Sequence, residues 1–296
     1  VILITITVSL MAVTGFIAWL LARRWPRVDL TAPSLSDATV RAQARSHRRF
    51  VRYWQERLDP SVTTGLALTA ACAVIILGAL GVFSLIIMIH HNSGLARYDH
   101  SASLYGAHHA TNLSTHVLKD LSQLGGALVI VPLAVIVAIL ETRRLRSWSV
   151  IGFLTLCVGG QFLIANVTKS LVGRARPNFD RLAGFSSSSF PSGHAVAAAA
   201  TFAAFALVIG RRRALTVRAA LAGVAVGLSV GVAITRVWLG VHWLTDVLAG
   251  LAMGWAWFAF CSIAFGGRRL RFGQPVEIAT AGGPQSTTTT TTGKRP

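Results

Sequence analysis

Three short stretches of this chain carry the side chains that could handle a phosphate. They are Lys169 with Arg176-Pro177, the tetrapeptide Pro191-Ser192-Gly193-His194, and Thr235-Arg236 with His242 and Asp246. Together they supply three cations, two imidazoles and a carboxylate. A phosphoryl group in flight spreads negative charge over its equatorial oxygens, and fixed Arg and Lys donors stabilise that charge, Arg with bidentate geometry. A histidine nucleophile and a second histidine acting as acid would complete a two-step displacement. His242 and Asp246 are four apart, so on a helix they share a face. The carboxylate can then fix the imidazole tautomer and leave the other ring nitrogen aimed at an electrophile. Alone, the pair could equally be a structural hydrogen bond at a loop. Pro191 to His194 follows a serine-rich loop and precedes an Ala-rich run, which marks a helix N-terminus where free N–H groups and the dipole favour an anion. There Gly193 would allow close approach and Ser192 could donate its hydroxyl, or Ser192 could be an ordinary cap. Lys169 and Arg176 are seven apart, two helical turns, before Pro177 stops the helix. Alone, these two and Arg236 would pass for snorkelling anchors. The plain readings weaken in combination, because the stretches complement one another and all lie at the ends of apolar runs.

Those runs define the class. Of the 296 residues 53% are apolar and 13% charged, and the mean hydropathy is +0.59. Several uncharged stretches reach the roughly 20 residues that cross a bilayer core. The formal charge of +18 does not indicate nucleic acid, since the basic residues gather in short loops rather than on a polar face with stacking aromatics. Seven spans are predicted: 1–22, 62–89, 121–140, 147–168, 194–210, 219–235 and 247–267. Continuous apolar runs without alternation favour helices over a barrel, and the Gly and Ala of the last three spans favour close packing. The expected fold is an all-α polytopic transmembrane bundle.

Lys and Arg then orient it. Nine Arg fall between Arg23 and Pro60, three at Arg143, Arg144 and Arg146, four from Arg211 to Arg218, and five Lys or Arg in the tail. All lie on one side, so the positive-inside rule puts them and the C-terminus in the cytoplasm and the three chemical stretches outside. Residues 1–22 read as a retained helix, because a signal peptide would want a basic start and a small-residue cleavage site. Residues 23–61 form a basic connector, interfacial helix or solvated linker. Residues 268–296, with six consecutive Thr, are expected to be disordered.

Read together, KSLVGRARP from Lys169, PSGH from Pro191 and TRVWLGVHWLTD from Thr235 resemble, in order and spacing, the three signature motifs of the type 2 phosphatidic acid phosphatase (PAP2) superfamily of membrane lipid phosphatases. The one departure is Thr235 where Ser is usual, which keeps a hydroxyl. The resemblance covers 62–267 as a six-helix core, with the first helix as an addition. It implies that His242 attacks phosphorus to form a phosphohistidine, that Asp246 orients and charges it, and that His194 protonates the leaving oxygen and then activates water. Lys169, Arg176, Ser192, Gly193 and Arg236 would bind the phosphate, with no cofactor or metal. The implied substrate is a membrane lipid phosphate: phosphatidic acid, phosphatidylglycerol phosphate or a polyprenyl diphosphate. Wide Ala, Arg, Val and Gly usage suggests a bacterial protein, so with the charge asymmetry the expected place is a bacterial plasma membrane, with the site on the extracytoplasmic face.

Three rivals use the same residues. His194, His242 and Asp246 could ligate a metal, the cations could hold an anion for transport without chemistry, or the phosphate could pass to another lipid. His90, His91, His100, His108, His109 and His116 crowd one loop, as a metal site, a headgroup contact or simply an interfacial segment. Asp99 and the run after it could lie over the bundle as a lid. Cys72, Cys157 and Cys261 sit inside apolar runs at spacings that fit neither zinc nor disulfides.

Overall fold

The computed structural model describes residues 1–24, 63–177 and 188–266, so the basic connector, the C-terminal tail and most of the serine-rich loop lie outside the described residues. The order is α1 (Ile2–Arg24), α2 (Thr63–His90), a 3-10 turn (Gly94–Tyr98), α3 (Asp99–His108), α4 (Asn112–Gln123), α5 (Ala127–Leu145), α6 (Ser149–Val172), α7 (Gly193–Gly210), α8 (Leu215–Trp238) and α9 (Leu244–Gly266). Among the described residues six helices are long and apolar enough to cross a membrane, and α4 with α5 makes a seventh if that bent pair is one span.

That pair corrects the sequence expectation of one continuous span over 121–140. The helix stops at Gln123 and restarts at Ala127 after a 43° bend. The apolar character does not lapse there, so hydropathy gives no warning; the cause is Gly125-Gly126. A Cβ on Gly125 would stand 2.5 Å from Cγ1 of Val232 and 2.8 Å from the carbonyl oxygen of His194. The missing side chains let the break press directly onto α7 and α8. α4 itself starts with a capping box between Thr111 and Ser114.

At the centre lies α7, whose residues Ala195 to Ala200 are fully buried. Its neighbour α9 approaches through glycines: a Cβ on Gly254 would meet Val196 O at 2.5 Å, and one on Gly250 would meet Ser192 O at 2.8 Å. Small residues at such contacts gain dispersion energy that bulky ones would forfeit. The same device seats α1 on α8, with Gly15 against the Gly223 carbonyl and Gly227 against the Met11 carbonyl. Trp238 Nε1 donates to Thr7 Oγ1 at 3.2 Å near the start of α1, while Trp19 lies beside Gly223, so the two helices run antiparallel.

At the opposite end of the bundle Arg144 donates to the carbonyls of Val208, Ile209 and Arg211 at 3.3, 3.0 and 3.1 Å. It satisfies acceptors that the end of α7 would otherwise leave open. Arg23 and Arg24, the turn after α5 and the turn after α7 therefore share one end of the molecule, and the three chemical stretches share the other.

Candidate active site

Each stretch reaches the site by a chain reversal. α6 ends at Val172 because Gly173 takes a left-handed φ of 61°. Lys169 stays on the last turn of the helix, but Arg176 lies beyond it in irregular chain. The expectation that both cations project from one helical face is therefore corrected: the glycine, not Pro177, stops the helix. Arg176 Nη1 donates to Val241 O at 2.7 Å and contacts His242 Nε2 at 3.2 Å, and its Nη2 donates to Ser188 O at 3.3 Å.

α7 begins at Gly193, as the tetrapeptide implied, yet the side chain of Ser192 makes no cap bond. Its hydroxyl is buried with no hydrogen-bond partner, which leaves it available to a ligand at the helix N-terminus. A Cβ on Gly193 would lie 3.7 Å from Nζ of Lys169, so the ammonium reaches this terminus, and a Cβ on Gly126 would lie 3.6 Å from Nε2 of His194. The α4–α5 break thus forms the wall behind that imidazole.

α8 closes with Arg236, 3% exposed, whose Nη1 donates to Ser122 Oγ at 2.7 Å. Gly240 then adopts φ 66°, and the amides of Val241 and His242 both return to Arg236 O at 3.2 Å. This turn carries His242 back over the arginine. His242 is therefore outside α9, which starts at Leu244, and the expectation of a shared helical face with Asp246 is corrected. The two still meet, Nδ1 to Oδ2 at 3.6 Å, by way of the turn. That separation is longer than a hydrogen bond. Because a guanidinium only donates, the Arg176 contact requires a lone pair on Nε2 and places the ring proton on Nδ1, towards Asp246. Burial pushes the His242 imidazole down to about 4, against the upward pull of Asp246, so the ring is neutral near neutral pH.

Asp246 has no exposed surface. Its Oδ2 accepts from the Trp243 amide at 2.9 Å and from the hydroxyl of Ser189, and its Oδ1 accepts from Arg174 Nη1 at 2.6 Å. The Trp243 bond is half of a capping box, so Asp246 also starts α9. Thr235, the one departure from the motifs, turns its hydroxyl to Val232 O at 2.7 Å.

His194 lies within electrostatic reach of Arg236, His242, Lys169 and Arg176. All eight candidate residues thus converge at one end of the bundle, from the ends of α6 and α8 and the starts of α7 and α9. His194, His242 and Asp246 do not form a ligand set, and among the described residues no three His, Cys, Asp or Glu side chains are grouped to hold a metal. Two of the crowded histidines bond locally: the Nδ1 atoms of His109 and His116 meet the carbonyls of Tyr105 and Asn112 at 2.9 and 2.8 Å. α3 is a packed part of the site end, with Gly106 against the Trp238 backbone.

Sequence reasoning missed Arg174, Ser189, Thr245 and Ser122, and misjudged Asp99. Asp99 is 3% exposed and accepts from Arg174 Nη2 at 2.7 Å, from Thr245 N at 2.9 Å and from Thr245 Oγ1 at 2.6 Å. Arg174 lies two positions before Arg176, and a second arginine so close to the first was a usable signal.

A transmembrane helix bundle with cations, two imidazoles and a carboxylate gathered at one end defines an integral membrane protein with an anion-attracting site at that end. The family profile of the PAP2 superfamily matches residues 148–270. Phosphatidylglycerophosphatase B of Bacillus subtilis is 34% identical over 147 residues, 47% of this chain and 68% of that one. Decaprenylphosphoryl-5-phosphoribose phosphatase of Mycobacterium tuberculosis is 35% identical over 144 residues, 46% and 72% of the two chains. A lipid A 1-phosphatase of Rhizobium johnstonii is 39% identical over 117 residues, 36% of this chain but only 43% of its own length, so the match spans less than half of that relative. The crystal structure of a transmembrane PAP2-type phosphatidylglycerolphosphate phosphatase from Bacillus subtilis superposes with a TM-score of 0.59 at 27% identity, covering 64% of this chain and 94% of the other. The chain belongs to the PAP2 superfamily of membrane lipid phosphatases.

Proposed function

We propose that the protein hydrolyses a lipid phosphomonoester or a polyprenyl diphosphate, with His242 as nucleophile. The observation that carries this reading is the orientation of His242: Nε2 faces Arg176 at 3.2 Å, and Nδ1 backs onto Asp246. An anion drawn to the cations is met by a nitrogen lone pair. In the first step Nε2 bonds to phosphorus, the bond from phosphorus to the lipid oxygen breaks, and His194 gives that oxygen its proton. In the second, His194 takes a proton from water, the hydroxide bonds to phosphorus, the phosphorus–nitrogen bond breaks and inorganic phosphate leaves. Lys169, Arg176 and Arg236, with the Ser192 hydroxyl and the open amides at Gly193, hold the phosphoryl oxygens. Asp246 offsets the charge that His242 acquires while phosphorylated. These cations would supply the neutralisation that a metal ion provides in other phosphoryl-transfer enzymes.

The relatives' names describe phosphatases of lipid-linked phosphates, which supports phosphatidic acid, phosphatidylglycerol phosphate or a prenyl-linked phosphate; a polyprenyl diphosphate presents the same terminal phosphoryl group. The positive-inside rule supports a cytoplasmic arginine-rich end and, with it, a site at the extracytoplasmic surface of a bacterial plasma membrane. Residues 62–267 would be the catalytic core. Purified protein is given these lipids with and without EDTA, and free phosphate and lipid products are measured. We expect phosphate release insensitive to EDTA and abolished in His242→Ala. Turnover surviving in that variant would remove the nucleophile, loss in EDTA restored by a divalent ion would replace the mechanism, and phosphate appearing on a second lipid would make the enzyme a transferase.

A further inference from the structure

Arg174 is held between two buried carboxylates that lie far apart along the sequence. Its Nη1 reaches Asp246 Oδ1 at 2.6 Å and Thr245 Oγ1 at 2.8 Å, its Nη2 reaches Asp99 Oδ2 at 2.7 Å, and its guanidinium lies over the Trp243 ring, 5.5 Å from the centroid. Asp99, on the first turn of α3, also accepts the Thr245 amide and hydroxyl. Resting on the reading of His242 as nucleophile, we propose that Asp99 and Arg174 are positioning residues: Asp99 takes up the charge of Arg174, so that Asp246 keeps its own negative charge for His242.

Charge counting gives the reason. An isolated Arg174–Asp246 pair is neutral and would leave little field at an imidazole that must become cationic when phosphorylated. Asp99 adds a second negative charge, and the three groups together carry one net negative charge behind Nδ1 of His242. Burial makes this consequential, because Asp246 has no exposed surface and Asp99 only 3%, and water screens such charges weakly. A merely structural role, in which Asp99 caps the start of α9 through Thr245, accounts for two of its three contacts but not for the bond to Arg174.

The other charges facing the pair are fixed and do not depend on Asp99. Arg176 from the α6–α7 segment and Arg236 from α8 act on His242, His194 from α7 lies within its reach, and Lys169 from α6 lies within reach of Asp246. All are cations or imidazoles, so the Asp99–Arg174–Asp246 group is the source of negative charge that the described residues bring to the nucleophile.

The test is the pH dependence of kcat/KM with phosphatidic acid in mixed micelles, for the wild type, Asp99→Asn and Arg174→Gln. Protonation of His242 removes the lone pair, so it sets an acid limb. Asp99→Asn makes the surroundings of His242 less negative and should move this limb to lower pH. Arg174→Gln makes them more negative and should move it to higher pH. Neither group touches His242, so each shift should stay below the roughly one unit that a directly contacting charge produces, and the opposite directions of the two shifts are the readout. The substrate's own ionisation is common to all three proteins and cancels in the difference. In Asp99→Asn kcat should fall roughly 10- to 100-fold, as when the support behind a directly acting group is removed, with KM changed less. Lost helix capping alone would move both limbs the same way or not at all, and either result overturns the proposal. If Asp99→Asn does not yield folded protein, Arg174→Gln decides alone: an acid limb at or below the wild-type position overturns it. A wild type without phosphatase activity would instead overturn the functional reading beneath it.

Discussion

Replacing Gly125 by alanine tests whether the break between α4 and α5 holds His194 in place. The added methyl would lie 2.5 Å from Cγ1 of Val232 and 2.8 Å from the carbonyl oxygen of His194. Carbon atoms rest at about 3.5–4.0 Å, so something must move by about 1 Å. Neither neighbour yields readily. Val232 is fully buried and β-branched, with one strongly preferred rotamer in a helix, and the His194 carbonyl belongs to the first turn of α7. Overpacking of this kind costs about 1–3 kcal/mol, and a displacement near 1 Å at a reacting group can cost about 100-fold in rate. We expect Gly125→Ala to lower the melting temperature and to reduce kcat roughly 10- to 100-fold, with KM affected less. The control is Gly159→Ala in the middle of α6, where a Cβ would meet nothing within 4 Å. There alanine should be neutral or stabilise by up to about 1 kcal/mol. The assays are phosphate release and thermal unfolding in the same detergent. A Gly125→Ala protein with wild-type kcat and melting temperature would refute the argument that the break braces the imidazole.

Two further substitutions probe the same end of the bundle. Ser122→Ala removes the 2.7 Å acceptor of Arg236; a hydrogen bond to a charged group is worth about 1.5–3 kcal/mol, so KM for a lipid phosphate should rise roughly tenfold or more in steady-state kinetics. Gly240→Ala forces a side chain into the left-handed region at φ 66°, which costs about 1–2 kcal/mol and should appear as a lower melting temperature accompanied by reduced activity, since that turn delivers His242.

The helices were legible because a membrane span must be a long apolar run that satisfies its own backbone, and α2, α6, α7, α8 and α9 follow the runs closely. The α4–α5 bend was not legible, because Leu124-Gly125-Gly126-Ala127 stays apolar and only the facing helices show what a side chain would strike. Helical spacing correctly associated His242 with Asp246 and Lys169 with Arg176 but gave the wrong reason. Gly240 turns the chain just before His242 and Gly173 turns it between Lys169 and Arg176, and a turn can bring together residues four or seven apart as well as a helix does. Arg174 was hidden inside a segment read only for its first and last cations. Asp99 was noticed, but its partners lie far along the chain, and nothing local says which buried arginine an acidic residue will meet.

The carboxylate that starts α9 is the same one that stands behind His242. Chemistry and helix initiation therefore draw on a single side chain, and a change at Asp246 disturbs both at once. An inert variant for trapping a bound lipid is better made at His242, where no helix begins. Drift at Asp246 would be punished twice over, by an idle nucleophile and by a frayed span.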